Sequence, residues 1–244
     1  RWDIFEGQFF EEFRDKPEGY DTHRWTHVIN PFTPTADMAI YRSYDFGYNK
    51  PFSCAWWAVD RDGVIYRILE LYGCTATPNE GVKKNPEQQF AEIAKIEREH
   101  PWLKGKEIRG VADPSIWDTS RGESTAHTAE KYGIYFEPGD NKRIPGWMQC
   151  HYRLSFDDNG YAMMYVFKNC KAFIRTIPLL LYSETVPEDL DTKMEDHVAD
   201  EWRYMCMCRP VSLPVSYTEE IPLEDPLNMY EHRRSGRNIY DFRR

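Results

Sequence analysis

The sequence predicts an α/β domain with a mixed central sheet, an antiparallel meander first and alternating helices and strands after it, flanked by helices. Two strand-like stretches, 52–59 and 64–69, are joined by Asp60-Arg61-Asp62-Gly63, a tight turn that makes them a hairpin. A third stretch, 39–44, precedes them and runs into Asp45-Phe46-Gly47-Tyr48, so the first strand of the meander carries Asp45. From Pro86 onward the apolar spacing changes to that of helices, interrupted by short strands.

The later elements follow in order. Phe90, Ile93, Ala94 and Ile96 fit one helix that starts at Pro86 and stops at His100-Pro101. Residues 108–112 read as a strand running into Asp113-Pro114. Residues 124–132 read as a helix, 134–136 as a strand and 142–154 as a helix. A turn at 157–160 leads to a strand at 163–167 and a helix at 170–177, closed by Pro178. The last helix spans 195–208 and ends at Arg209-Pro210.

Three regions result. Residues 1–36 are aromatic and loop-like, a lead-in segment that reads as the interior of a longer polypeptide. Residues 37–211 hold the core. Residues 212–244 carry Pro214, Pro222, Pro226 and five late arginines (233, 234, 237, 243 and 244) and read as a tail with no core of its own.

Composition narrows the function. The 244 residues are 41% hydrophobic, enough for one large core. The most apolar run, 177–182, is six residues long and far short of the roughly 18 that a membrane span needs. The net charge of -9 argues against a protein held on nucleic acid by its overall field, but not against a nucleic-acid enzyme whose site works through metal ions. Six cysteines without a CxxC pair read as reduced thiols of a cytoplasmic protein. Helical neighbours two apart point to different faces, so Cys206-x-Cys208 is a poor zinc site. Asp60-x-Asp62-Gly63 lacks the later ligands of a calcium loop.

The chemistry-bearing candidates are carboxylates. Asp45 and Asp113 each end an apolar strand, positions that also suit a turn cap or an Asx-turn. Asp196 and Asp200 stand four apart on the last helix, and His197 stands three before Asp200. An acidic first turn is also what the helix dipole favours. Neighbouring strands would bring Asp45 and Asp113 to one crevice. Three carboxylates there repel by roughly 4 kcal/mol per pair at 4 Å and an effective dielectric of 20, a cost that divalent cations relieve.

These motifs resemble, in their order along the chain, the nuclease half of a tailed-phage large terminase. The resemblance rests on Asp45-Phe46-Gly47-Tyr48 after an Arg-Ser strand, the Val59-Asp60-x-Asp62-Gly63 hairpin, and Ala112-Asp113-Pro114-Ser115-Ile116-Trp117. It ends with Asp196-His197-x-x-Asp200-x-x-Arg203-Tyr204, and it covers about residues 1–211. Phe9-Phe10-Glu11-Glu12-Phe13 and His27-Val28-Ile29-x-Pro31-Phe32 resemble the link out of that family's motor domain.

The resemblance implies an RNase H-like fold and an endonuclease that cuts concatemeric viral double-stranded DNA during genome packaging, with low sequence specificity. It implies two divalent ions, Mg²⁺ or Mn²⁺, on Asp45, Asp113 and Asp200, with Asp196 as the alternative third ligand and His197 as an accessory neighbour. It also implies an ATPase domain in the same polypeptide, a portal and a small terminase subunit as partners, and action in the host cytoplasm outside the mature virion. No Walker A loop occurs, since Gly105-Lys106 is followed by Glu107, so ATP hydrolysis is not expected of this chain. Lys50, Lys142 and Arg143 lie near the expected site loops, as DNA-phosphate contacts or as ordinary solvated charge. His127 and His151 read as surface or core histidines. Two alternatives stand beside this reading: another RNase H-like nuclease of the resolvase or transposase type, and a non-catalytic adaptor module of a packaging complex.

Overall fold

A computed structural model describes residues 7–120 and 122–211; the expected tail lies outside the described residues. Seven strands form one sheet: β1 (Val28–Ile29), β2 (Ala39–Asp45), β3 (Ser53–Val59), β4 (Ile65–Tyr72), β5 (Ile108–Ala112), β6 (Glu137–Pro138) and β7 (Met164–Phe167). Their order across the sheet is β1-β7-β4-β3-β2-β5-β6. β2, β3 and β4 are antiparallel neighbours, as the hairpin signals predict, while β5 lies parallel to β2 and β7 parallel to β4. The antiparallel meander thus becomes the centre of a mixed sheet.

Period-2 alternation sends β2 residues to opposite sides. On one side, Tyr44 and Arg42 meet helix α1 (Pro86–Glu99): Tyr44 Oη donates to Gln89 Oε1 at 2.6 Å, and Arg42 pairs with Glu97 at 2.5 Å. A capping box closes the start of α1, with Asn85 and Gln88 each satisfying the other's backbone N–H. On the other side, Ser43 and Asp45 face α5 (His197–Cys208), which packs beside α3 (Arg143–Leu154) and α4 (Lys171–Thr176). Helix α2 (Thr125–Glu130) joins α1.

Three differences from the sequence expectation have physical causes. The segment 8–29, expected as a loop-like lead-in, is built into the core: Phe9, Phe10, Phe13, Val28 and Ile29 are all buried, and β1 pairs with β7. Its apolar residues are dispersed among polar ones with neither strand nor helix period, so sequence pattern does not reveal their burial. Second, the expected strand at 134–136 forms only at Glu137–Pro138. The Tyr135 carbonyl is taken by the Arg42 guanidinium at 2.8 Å, and the chain there presses on Gly110, where a Cβ would clash with that same carbonyl. Third, the last helix starts two residues later than expected, at His197, with Asp196 as its cap residue.

Among the described residues, no helix is long and apolar enough to cross a membrane.

Candidate active site

The site lies where β2 and β5 end side by side beneath the first turn of α5. The parallel pairing of Tyr44 with Ala112 puts Asp45 and Asp113 at the same sheet edge, as neighbouring strands require. Asp45 closes β2 and is nearly buried. Asp113 caps a short 3₁₀ turn (Pro114–Trp117), its Oδ1 accepting from the Ser115 N–H at 2.6 Å. The Asx-turn expected for Asp113 and a site role therefore coexist, because its other oxygen, Oδ2, points to α5.

Each of three carboxylates meets a protein group. His197 Nδ1 stands 3.5 Å from Asp45 Oδ2. Tyr204 Oη donates to Asp113 Oδ2 at 2.7 Å. Asp200 takes two guanidinium groups, Arg143 at 3.1 Å and Arg203 at 3.0 Å. Asp196 differs: its side chain makes no capping bond although it is nearly buried.

The electrostatics follow from burial and crowding. Burial, opposed by the hydrogen bond and charge of His197 and aided by nearby Asp200 and Asp113, pushes the Asp45 carboxyl up to about 7. Burial together with Asp200 lifts Asp196 to about 6. Burial lowers the proton affinity of His197, yet Asp45, Asp196 and Asp200 around it more than offset this and leave it above the ordinary imidazole value. His197 Nε2 lies 3.3 Å from Asn79 Oδ1, so the ring has an oxygen acceptor on both sides.

Of the expected phosphate contacts, Lys50 and Lys142 are exposed, Lys50 in the loop just after Asp45. Arg143 is instead engaged by Asp189 and Asp200 and stacks over Trp147. Among the described residues, no three His, Cys, Asp or Glu side chains converge in a metal-holding cluster. The donor chemistry nonetheless suits a hard divalent cation: aspartate oxygens dominate, and burial, with the nearby Asp200 charge, makes Asp45 and Asp196 protonation-prone.

Sequence reasoning passed over several residues that shape this site. Arg67 and Glu201, both fully buried, form an ion pair at 2.7 Å one helical turn below His197. Asn79, at a left-handed φ of 61°, bonds the Met194 carbonyl and faces His197. Asp189 anchors Arg143 and takes the Trp147 indole N–H at 2.7 Å. A charged residue inside the apolar strand 65–72 was the available signal for Arg67, since such a residue needs a buried partner.

A central antiparallel meander extended by a parallel strand, with carboxylates at the ends of two adjacent strands under a final helix, is an RNase H-like fold. No protein-family model and no curated protein matches the chain. Solved structures do. The large terminase of the thermophilic bacteriophage D6E in complex with ADP superposes with a TM-score of 0.61 at 21% identity, covering 82% of this chain. The chain spans 44% of the length of that terminase. The P22 large terminase nuclease domain gives 0.60 at 16% identity, covering 83% of this chain and 92% of the domain. The large terminase nuclease of thermophilic phage G20c with bound cobalt gives 0.51 at 10% identity, covering 83% and 97%. The chain therefore has the fold of phage large-terminase nuclease domains.

Proposed function

We propose that this chain is the DNA-cutting module of a phage packaging motor, a divalent-metal-dependent endonuclease acting on concatemeric double-stranded DNA with little sequence preference. The observation that carries the reading is that Asp45 and Asp113 end adjacent strands under the start of α5, where Asp45 feels the charges of Asp113 and Asp200 and Asp196 that of Asp200, in a fold shared with a terminase nuclease that binds cobalt. Asp45, Asp113 and Asp200 are the residues that would hold two Mg²⁺ or Mn²⁺ ions, with Asp196 as the competing third ligand. When bound, such ions supply an activated water and charge stabilisation at the departing 3′ oxygen.

The chain's own residues do the rest. His197, flanked by acceptors, holds a proton against Asp45 and keeps that carboxylate from swinging away. Tyr204 fixes the Asp113 carboxylate by its Oδ2. Arg143 and Arg203 hold the Asp200 carboxylate in orientation. Lys50, exposed just after Asp45, and Lys142, exposed beside Asp140 at 3.7 Å, would take DNA phosphates; Arg143 would have to leave a carboxylate to do the same.

In the full system the partners we propose are an ATPase domain of the same polypeptide, a portal and a small terminase subunit, working in the host cytoplasm. The negative net charge implies weak DNA affinity for this module alone, so tethering to the motor would provide effective concentration.

A second reading, a non-catalytic packaging module, draws on one observation: the ligand candidates Asp45, Asp113 and Asp200 already have protein partners. Cleavage of supercoiled plasmid separates the two. Nicking and linearisation with Mg²⁺ or Mn²⁺, absent with EDTA and in Asp45→Ala, is the expected result. Failure to cut, together with no calorimetric binding of Mn²⁺, overturns the nuclease reading.

A further inference from the structure

Helix α5 meets the sheet through one stripe, His197, Glu201 and Tyr204, spaced as successive turns on a single face. His197 reaches Asp45 and Tyr204 reaches Asp113. Between them, the fully buried Glu201 is held by three strands at once: by Ser43 of β2, by Ser53 of β3 at 3.1 Å and by Arg67 of β4 at 2.7 Å. Ser43 lies two residues before Asp45 on the same face of β2, and Ser53 is the register partner of Asp45.

The spacings match. Four helical residues, 197 to 201, rise about 6 Å, and two strand residues, 45 to 43, span about 6.7 Å. One contact between helix and strand would leave the helix free to slide or roll. Two contacts one turn apart, on two residues of the same strand face, remove both freedoms.

We infer that Glu201 and Arg67 are positioning residues: their buried ion pair sets the slide and roll of α5, so that His197 and Asp200 stand at Asp45. The inference rests on the nuclease reading for its catalytic consequence, though not for its geometry. Stability alone gives the pair little reason to be there. Replacing a buried ion pair by apolar residues of similar volume is often neutral or stabilising. One Arg67 amino group, Nη2, is buried without a hydrogen-bond partner, so apolar packing would fill the space at least as well. Neither residue has exposed surface from which to touch DNA.

The test is a double replacement, Arg67→Met with Glu201→Leu, read in two independent ways. The first is metal-dependent plasmid cutting. The second is the ¹⁵N spectrum of the His197 imidazole in metal-free protein, which reports its bonds to Asp45 and Asn79 whether or not the protein cuts. We expect a folded variant of somewhat lower melting temperature, since Glu70 loses its arginine but keeps the Ala172 and Phe173 N–H groups. Its cutting should be slower by about tenfold to a hundredfold, the cost of a displacement near 1 Å, and its His197 signals should shift. Should the double variant not fold, Ser43→Ala with Ser53→Ala removes both hydroxyl donors to Glu201, leaves the ion pair, and carries the same two readouts.

A folded variant with unmoved His197 signals overturns the positioning role, whatever its rate. Moved signals with an undiminished rate overturn it as well. If the parent itself does not cut, the nuclease reading fails separately, and the His197 signals alone decide whether the pair positions α5.

Discussion

Two carboxylate clusters sit one helical turn apart along α5, and they are built in opposite ways. At the inner one, Glu201 is matched by Arg67 and two serine hydroxyls, and Glu70 shares the same arginine. At the outer one, Asp45, Asp113, Asp196 and Asp200 share two arginines, both of which go to Asp200, and one histidine. The inner cluster carries its own cation and is sealed. In the outer cluster both arginines go to Asp200, so Asp113 and Asp196 have no arginine of their own, and the group lies where β2 and β5 end. That contrast supports the cation site proposed for the outer cluster.

The largest expected effect breaks the inner cluster on one side. Arg67→Met alone leaves Glu201 buried without its cation, and the fold should lose about 3–5 kcal/mol in urea denaturation. The double replacement described above should recover most of that loss. A single variant as stable as the parent would show that the inner charges are less enclosed than the structure places them.

Acidity sharpens the contrast next. The folded-state pKa values of Asp45, about 7, and Asp196, about 6, lie above the ordinary aspartate value of 3.8, and that of His197 is raised too. Groups with raised pKa contribute stability that is fully present below their unfolded values and lost as pH rises through the folded ones. Metal-free protein should therefore lose stability progressively from about pH 4 to somewhat above pH 7. Asp45→Asn should flatten much of that slope and stabilise the metal-free protein at pH 7.5, as thermal melts across the range would show. Added Mn²⁺ should raise the melting temperature more at pH 7.5 than at pH 5, because bound ions compete with protons for the same oxygens. Equal shifts at both pH values would argue that the outer cluster is not where the ion binds.

Smaller effects discriminate between Asp196 and Asp200. Asp200→Asn strips a buried Arg203 and a half-buried Arg143 of their shared partner and should cost about 1–3 kcal/mol. Asp196→Asn removes a buried, repelled carboxylate and should cost nothing or stabilise. Whichever variant abolishes the Mn²⁺-dependent rise in melting temperature identifies the third ligand. Tyr204→Phe, which loses one hydrogen bond to Asp113, should cost about 1 kcal/mol in the same urea denaturation.

The meander was legible because its signals are local: alternation along each strand and a glycine-ended turn at Asp60 to Gly63. The carboxylates were legible as candidates because a charge at the end of an apolar strand is conspicuous. Asp45 and Asp113 occupy adjacent strand ends only because β5 enters the sheet beside β2, and no local pattern specifies that pairing. The burial of Phe9 and Phe10 was not legible for a related reason. Phe9 and Phe10 pack on Trp147 and Trp202, partners more than a hundred residues away, and no element of their own announces it.

By itself, the sequence determined the order of most elements, the sharp turns, the acidic character of the last helix's start and the identity of the candidate carboxylates. These follow from side-chain period and backbone preference, which act between near neighbours. Only the tertiary structure decided which charges are paired within the chain and which are crowded by like charges. Arg67 with Glu201, Arg143 with Asp200 and His197 with Asp45 are 134, 57 and 152 positions apart, and Coulomb energy depends on distance through space and on burial, neither of which is written along the chain.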